Sequence, residues 1–402
     1  MREASQHHNT LKRILILHKE GNLFNNPSLK CIVDLLLYHG CAIDYRYSAS
    51  DITMPYYEGV RYLPYGPWLR RLKYVIFGNY YFKPFVFLSV LTEKIAYYKN
   101  YDLIIGIDRL GLIEASVLNK ITRVPYIFIS FEILFEDETS SRFKLLEKEA
   151  SHNVAMWLVQ DQVRAAQLQH ENLLNLSKQF LLPLASAGLG MPGNDRLRDR
   201  LGIPKDKKVA IVIGSISKWA MTSQILKCVA DWPDEWVLII HARYGQTREM
   251  LSRELDNFEN LLDHKIFISN AASDMVDDMG SVFAGISAGL ALYQPEYGKD
   301  SNGHYLGMNL QHLGLASGKI STYLRYGIPV IINEVGLYAD EARKFRFGCV
   351  VERPEQIKDC LNEIRHEEYH HAAENYYANK LDFNIYRENL WSRLQSVVDN
   401  TY

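Results

Sequence analysis

Cysteine is scarce in this chain: 402 residues hold five, at Cys31, Cys41, Cys228, Cys349 and Cys360. An odd, scattered set with no CxxC pair excludes a disulfide framework and a zinc-ribbon spacing. The thiols sit mostly in apolar runs, as buried free groups of a reducing compartment would. Neither sign of charge is in excess, with 45 Lys and Arg against 47 Asp and Glu, so nothing global attracts nucleic acid. Long hydrophobic runs are missing too. The most apolar window, residues 72–92, is broken by Lys73, Asn79 and Lys83, whereas a membrane span needs about 20 uninterrupted apolar residues. Residues 1–8 lack the apolar centre of a signal peptide, so a cytoplasmic location is expected. His, Cys and carboxylates form no cluster with ligand spacing near the phosphate turns described below, and no resident metal is expected.

What is present is a long alternation of short apolar runs and helical patterns. At 402 residues the chain fits two domains of roughly 200 residues each. Strands are predicted over 13–18, 42–47, 103–108, 126–130, 156–160 and 180–184, with a helix that starts at Asn26-Pro27 and stops at Gly40. Their near-continuous apolarity argues for a parallel sheet covered on both faces. Residues 185–194, rich in Gly and small side chains, read as the linker and set a boundary between domains 1–186 and 187–380. A second series follows over 209–214, 236–242, 266–269, 288–293, 329–333 and 349–351. The expected class is α/β, with two doubly wound parallel sheets facing across a cleft, and ligands bind at the carboxyl ends of such strands.

The most informative stretch is residues 316–333, Ala-Ser-Gly-Lys-Ile-Ser-Thr-Tyr-Leu-Arg-Tyr-Gly-Ile-Pro-Val-Ile-Ile-Asn. Ser317 caps a helix, Gly318 lets a ligand approach the backbone, and Ile320, Tyr323 and Leu324 form one apolar face before Gly327 and Pro329 end it. The first amides of that helix suit a phosphate, and Lys319 adds a full charge at the same spot. An ordinary αβ unit with a solvated lysine is the plain alternative.

This segment resembles the "Lys, aromatic, two small residues, Gly, x, Pro-Val-Ile" signature of group 1 glycosyltransferases, the family-4 branch of the GT-B fold. Residues 201–215 resemble the family's entry into its second domain, and residues 347–351 resemble its last strand. The resemblance implies that the helix at Ser317 holds the diphosphate of a nucleotide-sugar, without a metal or other cofactor. It also implies that the last helix, residues 381–402, crosses back onto the first domain. In the family a Gly-Arg followed by a Lys clamps the diphosphate; here Gly214 and Lys218 are present, but Ser215 stands in place of the arginine. The family's pair of glutamates falls on Gly314 and Thr322. Asn309, Gln311 and His312, in the long loop over 293–316, are candidate substitutes for sugar contacts, each with an exposed-loop reading beside it.

In the first half, residues 18–22 with Glu20 and Gly21, Asp108, and residues 130–132 with Glu132 all end at one sheet edge if the sheet is parallel. Residues 129–149 look like the family's acceptor-side loop, with Phe131 where a histidine often sits. Asp108 and Glu132 are candidates for a catalytic role or for hydrogen bonding to acceptor hydroxyls, with a helix cap as the plain alternative. Glu147 and Glu149 read as a solvated face. Residues 56–100 hold 14 aromatics and seven Lys or Arg against two Glu. That mixture suits peripheral contact with anionic lipid, although a helical excursion packed on the sheet is the stronger reading of Trp68, Phe77 and Phe85.

The resemblance implies a glycosyltransferase. Its donor would be a UDP- or GDP-linked sugar and its acceptor a hydroxyl of a glycan or lipid-linked saccharide, with retention of configuration and no nucleic-acid partner. A nucleotide-sugar 2-epimerase and a catalytically silent nucleotide-binding homologue are the alternatives.

Overall fold

The computed structural model describes residues 11–18, 23, 26–47, 56–64, 101–139, 141–214, 218–242, 251, 255–269, 279–295, 307–334 and 336–399. Two parallel sheets organise them. The first carries β1 (Arg13–His18), β2 (Ala42–Tyr47), β3 (Val60–Pro64), β4 (Leu103–Ile107), β5 (Tyr126–Ile129), β6 (Met156–Val159) and β7 (Gln179–Leu181), in the order β3-β2-β1-β4-β5-β6-β7. The second carries β8 (Lys208–Gly214), β9 (Trp236–Ala242), β10 (Ile266–Ser269), β11 (Ala288–Ala291), β12 (Val330–Asn333) and β13 (Gly348–Val351), in the order β10-β9-β8-β11-β12-β13. The order in which strands are added reverses at β1/β4 in one sheet and at β8/β11 in the other, so each half has one switch point, the place where ligands bind in sheets of this kind.

Burial explains the strand composition. Ile14 to Leu17 and Val209 to Val212 are closed to solvent on both faces, which a parallel sheet flanked by helices demands. The Phe383–Asp399 helix closes the chain against the first half: Phe383, Leu390, Leu394 and Val398 share a core with Ile14, Ile16 and Ile105. Its Trp391 ring stacks on His39 at 3.8 Å.

The linker is held by hydrogen bonds at both sides. Ser28 Oγ in the Pro27–Tyr38 helix donates toward the Pro183 and Ala185 carbonyls. Further along, Gly188 N donates to Asp382 and Arg325 Nε donates to the Gly188 carbonyl.

Two readings of the sequence need correction. Residues 60–64 form an edge strand parallel to β2 rather than part of a helical excursion; the rest of the aromatic and basic patch, with Trp68, Phe77 and Phe85, lies outside the described residues. Glu147 does not belong to a solvated face. It is buried, accepting from Lys144 at 3.0 Å and from Asn172 at 3.0 Å, because the Gln162–Asn172 helix covers that side of the Ser141–Ser151 helix. Glu149 is exposed.

Candidate active site

The second half builds its site at the β8/β11 switch point. Gly214 ends β8 with φ +88, in the left-handed region that costs glycine nothing. A Cβ on Gly214 would meet Lys319 Cε at 3.6 Å, so the lysine stem lies across this turn. Lys319 is the second residue of the Gly318–Arg325 helix, whose N-cap is Ser317; Ser317 Oγ accepts from the Ile320 amide at 3.1 Å. A helix leaves its first amides without internal partners, and the cap satisfies that of Ile320. Those of Gly318 and Lys319, in the same first turn, have no partner within the helix.

An aromatic pair frames that amine. Lys319 Nζ lies 5.6 Å from the Tyr293 ring centre and 5.9 Å from that of Trp219, and the two rings are stacked at 6.0 Å. Burial among them pushes the Lys319 amine down to about 8. Tyr293 is fixed at both ends: its hydroxyl meets Ser317 Oγ at 2.6 Å. Its backbone donates to Asn333 Oδ1 and accepts from Asn333 Nδ2, at 2.8 and 2.6 Å. Sequence reasoning missed Tyr293, Trp219 and Asn333 as site residues. The signal available was position alone, since Asn333 ends β12 and Tyr293 follows β11.

The other expected donor-side residues divide. Lys218 is exposed at the start of the Lys218–Ala220 turn, next to Trp219. Ser215, Glu20 and Gly21 lie outside the described residues. Thr322 is turned inward, its hydroxyl donating to the Gly318 carbonyl at 2.6 Å, so it does not reach outward from the helix. Gln311 is exposed. Asn309 and His312 are not loose loop residues: Asn309 Oδ1 accepts from the Ile133 amide at 3.1 Å, and the His312 ring stacks on Phe135 at 5.2 Å. Gly314 has φ +53, and a Cβ there would fall 2.0 Å from Asp161 Oδ2. A first-half carboxylate therefore crowds the place where the family's glutamate would start.

On the first half, His18 ends β1 and Asp108 follows β4, across that sheet's switch point. His18 Nδ1 lies 2.6 Å from Tyr45 Oη, and burial pushes the imidazole down to about 3, so it is neutral at physiological pH. Asp108 is nearly buried and has φ +50, an unfavourable conformation for a side chain with a Cβ. Its Oδ1 accepts from the Phe131 and Glu132 amides at 2.8 and 3.1 Å. Asp108 thus braces the turn after β5, and the Glu132 side chain is exposed. Among the described residues, no group of three or more His, Cys, Asp and Glu side chains is gathered as a metal would require, and no helix is long and apolar enough to cross a membrane.

Residues 277–384 match the family described as glucosyltransferase 3-like, C-terminal domain. No curated protein matches the sequence. Among solved structures, the chain is similar to Anabaena HepE in complex with UDP-glucose, with a TM-score of 0.68 at 13% identity over 96% of this chain and 100% of that one. It is similar to a glycosyltransferase from Rickettsia africae, with a TM-score of 0.69 at 10% identity over 98% and 100%. Sucrose-phosphate synthase from Thermosynechococcus elongatus gives a TM-score of 0.66 at 12% identity over 96% and 99%. The two-sheet architecture is the GT-B fold.

Proposed function

We propose that this protein is a glycosyltransferase of the group 1 type that moves a sugar from a nucleoside diphosphate to a hydroxyl acceptor. The observation that carries the reading is the Lys319 amine, set at the open end of a Ser317-capped helix and against the Gly214 turn, at the switch point of the second sheet. An amine and two helix amides in a half-buried, aromatic-walled recess suit a diphosphate. They act most strongly on charge that develops as the diphosphate departs. Lys218, exposed on the neighbouring turn, adds a second cation from solvent.

In the transfer the acceptor oxygen bonds to the anomeric carbon and the bond from that carbon to the diphosphate breaks. Retention follows if the acceptor approaches on the face that the diphosphate leaves, with the acceptor proton passing to the departing phosphate oxygen. Asp108 holds the turn after β5, and Glu132 on that turn hydrogen-bonds acceptor hydroxyls. Lysines and helix amides neutralise the leaving group, so no metal is required. The matched glucosyltransferase family and the UDP-glucose bound by HepE support a uridine-linked glucose as the donor.

Thermal unfolding with UDP, GDP and ADP tests this reading. A nucleotide at about 100 times its dissociation constant stabilises by about 2.7 kcal/mol, so UDP or GDP raises the midpoint by several degrees. The reading fails if none of the three shifts it and UDP-glucose releases no UDP in the presence of glycan acceptors.

A further inference from the structure

Arg164 is closed to solvent, yet every one of its guanidinium nitrogens has an oxygen partner, and the partners belong to both halves. Nε donates to Gln160 at 2.7 Å and Nη2 to the Phe131 carbonyl at 2.9 Å, within the first half. Nη1 donates to the His312 carbonyl at 2.7 Å and Nη2 to Asn309 Oδ1 at 3.3 Å, in the second. Its neighbour Asp161 does likewise. One carboxylate oxygen caps the Gln162–Asn172 helix through the Val163 and Arg164 amides, both at 2.9 Å, and the other accepts from the Leu315 amide at 2.7 Å. Burial pushes Arg164 down to about 10, and the charges of Asp161, Asp108 and Glu132 oppose the shift.

A buried guanidinium is an expensive way to join two domains, since apolar side chains would do so without the desolvation cost. What the planar fork adds is direction: its N–H groups donate to oxygen only at fixed angles. The two segments that it joins each lead to a reacting group. Phe131 lies in the turn braced by Asp108, and residues 309–315 run directly into the Ser317 cap and Lys319.

We propose that Arg164, aligned by Asp161, is a positioning residue for the transfer step: it fixes the distance between the acceptor-side turn at Phe131–Glu132 and the diphosphate-binding helix at Ser317. The proposal rests on the transferase reading. Nucleotide contacts are confined to the second half, so loosening the clamp leaves nucleotide affinity intact. Transfer suffers, because it needs both halves in register, and a displacement of about 1 Å can cost on the order of a hundredfold.

Two variants of the full chain test it. Arg164→Lys keeps the charge and removes the fork. Asp161→Asn leaves one acceptor oxygen where there were two: with that oxygen kept on the Val163 and Arg164 amides, its NH2 group faces the Leu315 amide and breaks the attachment to the second half. In both, UDP (or GDP, where UDP gives no heat) binds calorimetrically within about twofold of the parent while kcat falls at least about tenfold. Amide hydrogen exchange at Ile133 and Leu315 quickens. The proposal is overturned by a folded variant with parental kcat, or by a loss that appears wholly in nucleotide affinity. It is equally overturned if both variants unfold and bind nothing, which would make the network a stability element alone. A parent protein that binds neither nucleotide sinks the transferase reading instead.

Discussion

Tyr293 Oη and Ser317 Oγ lie 2.6 Å apart, joining the chain after β11 to the cap of the helix that presents Lys319. Ser317 already accepts from Ile320, so one hydroxyl contact holds both the helix end and the aromatic wall beside the amine. Tyr293→Phe removes that contact and leaves the ring. A neutral hydrogen bond contributes roughly 0.5 to 1.5 kcal/mol, so diphosphate affinity falls by about two- to tenfold, measured by calorimetry, without loss of fold. Unchanged affinity would mean that the cap needs no support from Tyr293.

The pH dependence of binding follows from the same amine. Burial holds Lys319 near 8, and a bound diphosphate favours the charged form. Binding therefore takes up a proton, and affinity drops as pH rises through 8, by about tenfold between pH 7 and pH 9 if the bound amine stays charged throughout. His18 does not contribute, since its imidazole is held near 3. A flat affinity over that range, or the same slope in Lys319→Ala, would contradict the assignment.

Most of the strands were legible in the sequence, and the exceptions have two causes. β8 and β12 could be read because unbroken apolar runs are what a doubly covered strand requires, and the helix start that carries Lys319 because Ser317 marks its cap. β3 escaped because Arg61 interrupts a run of only five residues. Glu147 was misread because its partner Asn172 comes from a helix later in the chain. Tyr293 with Trp219, and Asp161 with Leu315, are pairings across long sequence separations that no local pattern announces.

Gly314 gives a sharper test of the crowded loop. With φ +53 and Asp161 Oδ2 where a side chain would begin, Gly314→Glu, which sets at this position the acidic residue of group 1 glycosyltransferases, does not supply a sugar contact. It displaces the loop instead, at a cost of about 1 to 3 kcal/mol, seen as a lower unfolding midpoint and reduced transfer. Higher activity in that variant would show that the loop has room for the carboxylate.

On the proposed reading turnover survives excess EDTA, because the helix amides with Lys319 and Lys218 would supply the positive charge that a divalent ion supplies elsewhere. Loss of activity on chelation, restored by Mg²⁺ or Mn²⁺, would place a metal in the reaction.

The most direct test of the account is Lys319→Ala, assayed for UDP affinity and for kcat/KM with a nucleotide-sugar donor. A charged hydrogen bond contributes roughly 1.5 to 3 kcal/mol, so the account predicts weaker binding and a loss in kcat/KM of at least about tenfold in a protein that still folds. Parental binding and parental kcat/KM in folded Lys319→Ala would contradict it.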